Sequence, residues 1–345
     1  IPARSHQQRV VLFLGLLVDS NLRTSRKEID MLKQPQTKYR AFAPIALTDR
    51  TWPDAVLTRA PIWLSTDLRD GNQALVEPMD LQRKLRMFDM LVKIGFKEIE
   101  VGFPAASQVE YDFLRKLIDE GRVPDDVTIQ VMTPAREELI ERTVQSLKGA
   151  KRAIVHVYNA VAPVWREVVF GMSVPQVMQL IERNVRRVRE LTDAAPETEW
   201  VLQYSPETFS LAELEVSLQA CETAIEAWGA GRPIILNLPT TVEAATPNIF
   251  ADQIEWMSRR FKDRANVVLS VHPHNDRGTG TAAAELALMA GAHRVEGCLF
   301  GNGERTGNLD VVNVALNLYT QGVSPELDFS DIDAIRAEVE HCNQL

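Results

Sequence analysis

From residue 62 onward, short apolar runs alternate with segments in which apolar residues recur every three or four positions. Eight of the runs are rich in β-branched and aromatic residues, which is typical of buried strands. They lie at 62–66, 98–103, 127–133, 153–158, 200–204, 234–238, 267–271 and 295–300. This alternation predicts parallel strands joined by crossover helices.

Two of the intervening segments carry clear helix signals. Their apolar positions are Leu81, Leu85, Phe88 and Leu91 in the first, and Val177, Ile181, Val185, Val188 and Leu191 in the second. Asp80 and Gly95 flank the first pattern as N-cap and C-cap residues, and Ser173 and Pro175 open the second. Both segments are therefore predicted to be capped amphipathic helices.

Eight strand–helix units in about 250 residues match the size of a (β/α)8 TIM barrel. We therefore predict an α/β chain whose barrel spans 62–325, preceded by a lead-in segment at 38–61. An N-terminal extension at 1–37 is expected to be poorly ordered. A doubly wound open sheet is the alternative fold, because it also alternates strands with helices.

The longest apolar run, at 10–18, is about half the length that spans a bilayer. It follows Arg4 and Arg9 and resembles a signal-peptide core, but no small-residue cleavage site follows it. The other interpretation is an unstructured or misannotated leader over 1–30, because Met31 opens a polar stretch as a start residue does.

Composition narrows the functional classes. The chain has 345 residues, of which 45% are hydrophobic and 25% are charged, and its net charge is −9. No basic field exists to hold nucleic acid or an anionic membrane, so neither is expected as a partner. Cys221, Cys298 and Cys342 lie far apart, which favours a reducing compartment, and the expected location is the cytoplasm.

Polar residues gather where the predicted strands end. They occupy 66–73, 156–159, 204–207, 237–241, 272–277 and 301–308. A TIM barrel has its active site at the carboxyl ends of its strands, so this distribution favours the barrel and predicts an active site there.

His272 and His274 stand two residues apart at the end of the seventh run, so both imidazoles point to the same face. With Asp70 as an anionic third ligand, they suit a divalent metal ion that keeps open positions. An isolated pair of this kind more often only hydrogen-bonds to its neighbours. Here further polar residues converge on the same rim, which favours the metal.

Two charged residues have alternative interpretations. Arg69 is a solvated or ion-paired rim charge, or a group that stabilises an oxyanion or clamps a carboxylate beside the metal. Glu207 is a general acid or base, or the partner of a rim arginine such as Arg305.

The loop 301–308 contains three glycines and precedes a helix. Such a loop can receive a phosphate group, although glycine-rich loops are often only turns. It fits neither the dinucleotide-binding fingerprint nor the P-loop pattern.

Several strings are specific to one family. They are STDLRDGNQAL at 65–75, EIEVGFPAAS at 98–107, YSPE at 204–207, NLPTTVE at 237–243, HPHNDRGT at 272–279 and GNGERTGN at 301–308. With DRTWP at 49–53, the stretch 38–345 resembles the long bacterial form of the 2-isopropylmalate synthase family. These enzymes are acyltransferases that condense acetyl-CoA with 2-oxoisovalerate, which is the first committed step of leucine biosynthesis.

The resemblance implies a role for each matching residue. Mg²⁺, Mn²⁺ or Zn²⁺ would be held by Asp70, His272, His274 and Asn308. The oxo acid would be surrounded by Arg69, His156, Tyr158, Ser205 and Thr241, with Arg69 and Glu207 as the catalytic residues. Gly303 and Glu304 would help to hold acetyl-CoA.

The resemblance also implies a homodimer for the full-length enzyme and places the start of a truncated C-terminal linker at 326–345. We therefore expect weak or absent turnover from this polypeptide alone. Alternative functions are a citramalate or homocitrate synthase, a related aldol-cleaving lyase, or a barrel that only binds metal. A metal hydrolase of the amidohydrolase type is disfavoured, because its paired histidines lie on the first strand.

Overall fold

The structure, a computed structural model, describes residues 31–345. The interpretations of the apolar run at 10–18 and of the leader at 1–30 fall outside the described residues. The chain divides into two units, 1–43 and 44–345. Within the first unit, the described residues 31–43 contain one short 3₁₀ turn, Pro35–Thr37.

The second unit contains eight strands that form a closed barrel in chain order, and every pair is parallel. The strands are β1 Ile62–Ser65, β2 Glu98–Gly102, β3 Thr128–Pro134, β4 Arg152–Ala160, β5 Glu199–Glu207, β6 Ile234–Thr240, β7 Val267–Pro273 and β8 Arg294–Gly297. The TIM-barrel prediction is confirmed, and the open-sheet alternative is wrong because β8 pairs with β1.

Helices follow the strands around the outside of the barrel. They are α1 Leu81–Ile94, α2 Gln108–Asp119, α3 Glu137–Ser146, α4 Val174–Asp193, α5 Leu214–Trp228, α6 Pro247–Ser258, α7 Gly280–Met289, α8 Val311–Thr320 and α9 Ile332–Asn343. The predicted caps form: the Asp80 side chain accepts from the backbone N–H of Arg83 at 2.9 Å, and Gly95 ends α1 with a φ of 115°. The N–H of Ser173 donates to the side chain of Gln176 at 2.8 Å at the start of α4. No helix in the described part of the chain is long and apolar enough to cross a bilayer.

The eighth strand is shorter than predicted. The apolar run continues to Phe300, but β8 ends at Gly297 and a 3₁₀ turn, Leu299–Gly301, follows. The backbone N–H of Leu299 donates to the buried carboxylate of Asp67 at 3.0 Å instead of joining a strand ladder, and Phe300 takes a φ of 54°. This turn carries the glycine-rich loop back over the barrel mouth.

The inside of the barrel is more polar than the branched apolar layers usual for this fold. Gln203 of β5 donates to Glu296 of β8 at 2.7 Å, and Arg294 of β8 donates to Gln130 of β3 at 2.9 Å. These bonds join strands that are not neighbours, so the side chains lie inside the barrel, and all are fully buried. The apolar core lies between the sheet and the helices.

Two segments outside the strand–helix repeat pack onto it. In the lead-in, Arg50 pairs with Asp252 of α6 at 2.8 Å. At the other end, Glu338 of α9 pairs with Arg86 of α1 at 2.6 Å. The predicted boundaries at 38, 62 and 326 remain predictions.

Candidate active site

Ten of the twelve residues predicted for the site line one cavity of about 260 Å³ at the carboxyl ends of the strands. These ten are Arg69, Asp70, His156, Tyr158, Ser205, Glu207, Thr241, His272, His274 and Glu304. The remaining two, Asn308 and Gly303, lie in the loop after β8.

The structure brings Asp70, His272 and His274 together. Asp70 lies in a π-helical turn, Asp67–Gly71, that directly follows β1, while His272 is in β7 and His274 immediately follows it. The Oδ2 atom of Asp70 is 3.1 Å from Nε2 of His272 and 3.7 Å from Nε2 of His274. Ligand atoms about 2.1 Å from one cation lie about 3 Å apart, so these three atoms can share an ion.

Asn308 lies in the loop after β8, and its backbone forms an isolated β-bridge with that of His274. Its Nδ2 donates to the carbonyl of Asn302 at 3.2 Å. Its Oδ1 atom is buried and has no hydrogen-bond partner among the described residues. A buried amide oxygen without a donor suits a cation, so this observation supports a metal at the site.

Gly303 is required by close packing against Asn308. A Cβ at Gly303 would lie 2.6 Å from Nδ2 of Asn308, which is far inside van der Waals contact. Cys298 also lies next to Asn308, with Sγ 3.3 Å from the same Nδ2. Burial raises the pKa of the Cys298 thiol, which favours its protonated form.

Burial and neighbouring charges set the pKa values of the candidate metal ligands. Burial alone would raise the pKa of Asp70, but the positive charge of Arg69 and the hydrogen bond from His272 hold it well below its ordinary value. Burial opposes protonation of His272, yet its carboxylate neighbours Asp70 and Glu296 outweigh that and raise its pKa to about 9. Burial and the charge of His272 lower the pKa of His274 to about 3. Metal binding at His272 would therefore release a proton.

Arg69 is held on both sides. Its Nε donates to Glu100 at 2.6 Å and its Nη1 pairs with Asp70 at 2.8 Å. Glu100 also bonds Nδ1 of His156 at 2.9 Å, and Nε2 of His156 lies 2.8 Å from the hydroxyl of Ser205. One buried carboxylate thus orients two predicted substrate-binding residues.

The rest of the cavity wall is mixed in character. Phe103, Met132 and Pro239 provide apolar surface in the same cavity as His156 and Tyr158. The hydroxyl of Thr241 accepts from the backbone N–H of Thr208 at 2.9 Å, so it also ties the loops after β5 and β6 together.

Glu207 lies at the end of β5 and lines the same cavity. Burial raises the pKa of its carboxyl group, and the positive charge of Arg69 opposes this only in part. The alternative pairing with Arg305 does not form, because Arg305 pairs with Asp276 at 2.5 Å. Among the described residues, the Glu207 carboxylate has no ion pair or hydrogen bond.

Sequence reasoning missed the buried residues beneath the site. They are Glu100, Gln130, Gln203, Arg294 and Glu296. The available signal was pairs of polar residues two apart: Glu98 with Glu100 inside one run, and Arg294, just before the run at 295–300, with Glu296 inside it. On a strand this spacing places both side chains on the same face, which here is the inside of the barrel.

Comparison with known proteins adds to this geometry. The model of the HMGL-like family matches residues 60–339. The chain belongs to the HMGL-like family. It is 66% identical over 317 residues to a 2-isopropylmalate synthase of Cupriavidus taiwanensis, which covers 91% of this chain and 56% of that protein. It is also 64% identical to the enzyme of that name from Herbaspirillum seropedicae, covering 91% and 55% respectively. The sequence resemblance is confirmed, and the chain spans a little over half the length of these relatives.

Solved structures support the same fold at lower identity. An HMG-CoA lyase from Brucella melitensis matches this HMGL-like chain with a TM-score of 0.63 and 17% identity, over 84% of this chain and all of that one. A hydroxymethylglutaryl-CoA lyase from Pseudomonas aeruginosa matches with a TM-score of 0.62 and 18% identity, over 84% and 92%. At this identity the likeness shows the fold alone.

Proposed function

We propose that this chain is the substrate- and metal-binding barrel of a 2-isopropylmalate synthase, which condenses acetyl-CoA with 2-oxoisovalerate. Relatives of that name match 91% of the chain at up to 66% identity. The observation that carries the proposal is the convergence of Asp70, His272 and His274 beside Arg69 in one cavity.

The proposed metal is a divalent ion, Mg²⁺, Mn²⁺ or Zn²⁺, held by Asp70, His272, His274 and Asn308. When bound, it would act as a Lewis acid that polarises the carbonyl group of the oxo acid. The partnerless Oδ1 of Asn308 and the depressed pKa of Asp70 both favour a cation at this position.

Arg69 has the position and charge to meet the negative oxygen that develops on the oxo acid. Its guanidinium lies beside Asp70 and is fixed by Glu100, so it needs no reorientation when charge appears. The apolar surface of Phe103 and Met132 lies on the same cavity and suits a branched hydrocarbon side chain.

Glu207 is the proposed base. It takes a proton from the methyl group of acetyl-CoA, and the resulting carbanion forms a carbon–carbon bond to the carbonyl carbon of the oxo acid. The carbonyl oxygen becomes a hydroxyl by taking up a proton, and water then cleaves the thioester to release CoA. A carboxyl group whose pKa is raised by burial is better matched to proton transfer near neutral pH than an ordinary one. Glu304, which lines the cavity rim, is proposed with Gly303 to contact acetyl-CoA.

The test measures binding of oxo acids by calorimetry in the presence of Mg²⁺, one acid at a time, together with release of free CoA thiol. We expect 2-oxoisovalerate to bind more tightly than pyruvate or 2-oxoglutarate, and only with metal present. Preference for pyruvate would reassign the chain to citramalate synthase, and preference for 2-oxoglutarate to homocitrate synthase. Metal-independent binding would contradict the proposal.

A further inference from the structure

The two histidines of the metal cluster are held in different ways. Nδ1 of His272 lies 2.8 Å from Oε2 of Glu296, so the ring is anchored on the side away from Asp70. Nδ1 of His274 is buried and has no hydrogen-bond partner among the described residues. Only one of the two imidazoles is therefore fixed by a buried partner.

Glu296 is itself immobilised. Its side chain is fully buried inside the barrel, and its Oε1 atom receives three donors. These are Nε2 of Gln203 at 2.7 Å, Nη1 of Arg294 at 2.5 Å and the hydroxyl of Ser270 at 3.4 Å. The carboxylate cannot rotate without breaking these bonds, so Oε2 stays directed at His272.

Nδ1 of His272 must carry a hydrogen, because the ionised carboxylate of Glu296 can only accept hydrogen bonds. In the structure Nε2 also donates, to Oδ2 of Asp70 at 3.1 Å. A cation held beside Asp70 would replace the hydrogen on Nε2 and leave the one on Nδ1, so the ring would keep the Nδ1–H tautomer. We propose that Glu296 is a positioning residue that fixes the tautomer and orientation of His272 for metal binding. The inference rests on the metal site of the proposed function.

Glu296→Gln is an informative change because it is nearly isosteric. The three donors at Oε1 retain the amide oxygen, so the amide NH₂ group takes the place of Oε2 and faces Nδ1 of His272. A donor there forces Nδ1 to accept, which moves the hydrogen to Nε2 and blocks the atom that would bind the metal.

Calorimetry with Mn²⁺ alone on the 345-residue chain tests the proposal. We expect Glu296→Gln to weaken Mn²⁺ affinity by about 10- to 100-fold, as outer-shell changes at metal sites do. The matched control is Glu98→Gln, because Glu98 pairs with Nε of the same Arg294 at 2.5 Å without contacting His272. The control should leave the affinity within about twofold.

A second variant tests the proposal if Glu296→Gln does not fold. Glu296→Asp keeps the charge that faces Arg294 but retracts the carboxylate by one methylene, and we expect it to weaken Mn²⁺ binding by at least tenfold. An unchanged affinity in a folded variant, or an equal loss in Glu98→Gln, would overturn the proposal. An equal loss of Mn²⁺ affinity in Glu98→Gln would show that the effect comes from disturbing Arg294 and not from the contact with His272.

Ring-¹⁵N NMR separates this proposal from the proposed function. The chain has only six histidines, and the spectra are recorded in an Asp70→Ala background at a pH at which free imidazoles are neutral, so that Glu296 is the remaining carboxylate bonded to His272. We expect Nδ1–H when residue 296 is Glu and Nε2–H in Glu296→Gln. The same tautomer in both proteins would overturn the positioning role. Absence of Mn²⁺ binding in the unsubstituted chain would instead contradict the proposed function, and the tautomer would still decide this one.

Discussion

The two sides of the cavity are built differently. On the metal side, Asp70 and His272 have charged or hydrogen-bonded partners that are themselves buried. On the opposite side, the carboxylate of Glu207 lines the cavity without a partner among the described residues, and burial raises its pKa.

This difference corresponds to what each side is proposed to do. Ligands that share a cation must keep their distances, so buried partners that hold them in place are an advantage. A group that takes and returns a proton must change charge during the reaction, and a strong ion pair would lock it in one state. The following predictions test this contrast.

The largest effect is expected from Asp70→Asn. The change removes the only carboxylate of the candidate ligand cluster and leaves Arg69 with Glu100 as its remaining acidic partner. Mn²⁺ affinity measured by calorimetry should fall by more than about 100-fold, which exceeds the usual effect of outer-shell changes. Asp276→Asn is the control, because Asp276 pairs with Arg305 rather than with the cluster. If Asp70→Asn kept Mn²⁺ affinity within threefold, the metal side would be wrongly assigned.

Glu207→Gln should impair proton transfer on one side of the cavity without affecting metal binding on the other. Mn²⁺ and 2-oxoisovalerate binding should stay within about threefold, while the weak residual rate of thiol release expected of this polypeptide falls by about 100-fold or more, the usual contribution of a general base. Glu138→Gln, an exposed acidic residue at the start of α3, serves as the control. Loss of metal binding in Glu207→Gln would contradict the separation.

The same carboxylate predicts a pH dependence. The pKa of Glu207 is raised above its ordinary value of 4.5, so the basic form is lost at a higher pH than for an exposed glutamate. The rate of thiol release should therefore fall as the pH is lowered through that raised pKa. In Glu207→Gln this acidic limb should be absent. An unchanged limb in the variant would assign it to another group.

The fold could be predicted because the strand–helix repeat is local. Each apolar run and each helix period is visible within about 20 residues, and the caps of α1 and α4 follow from short-range residue preferences. The end of β8 could not be predicted, because it depends on the bond between Leu299 and Asp67, which are 232 positions apart.

The rim residues of the site could be predicted for a related reason. In a closed parallel barrel all carboxyl ends meet at one face, so polar residues after different strands converge there. The residues beneath the rim could not be predicted in this way, because they come together only when the barrel closes. Glu296 contacts Gln203 across the barrel, and no local pattern records that a strand-eight carboxylate meets a strand-five amide.

The apolar wall offers a smaller test of the substrate side. Met132→Phe fills part of the cavity that Phe103 also lines and should weaken 2-oxoisovalerate binding by about tenfold, since one methylene in a pocket changes affinity by about 1–3 kcal/mol. Pyruvate, which lacks the branched side chain, is the internal control and should bind about as before. Both affinities are measured by calorimetry. An equal loss of affinity for the two acids would show that the branched side chain of 2-oxoisovalerate does not bind beside residue 132.

The smallest effect is expected on the metal side, from Gly303→Ala. The added Cβ would lie 2.6 Å from Nδ2 and 2.7 Å from the backbone nitrogen of Asn308, so Asn308 must shift. Displacing one neutral oxygen ligand should cost about 1 kcal/mol, which is about fivefold in Mn²⁺ affinity. Gly278→Ala is the matched control: its φ of 72° strains an alanine, but nothing lies within 4 Å of its Cβ. It should lower the melting temperature and leave Mn²⁺ affinity unchanged. If Gly303→Ala lost stability without losing affinity, Asn308 would belong to the loop packing rather than to the ligand set, and the metal side would consist of Asp70 and the two histidines.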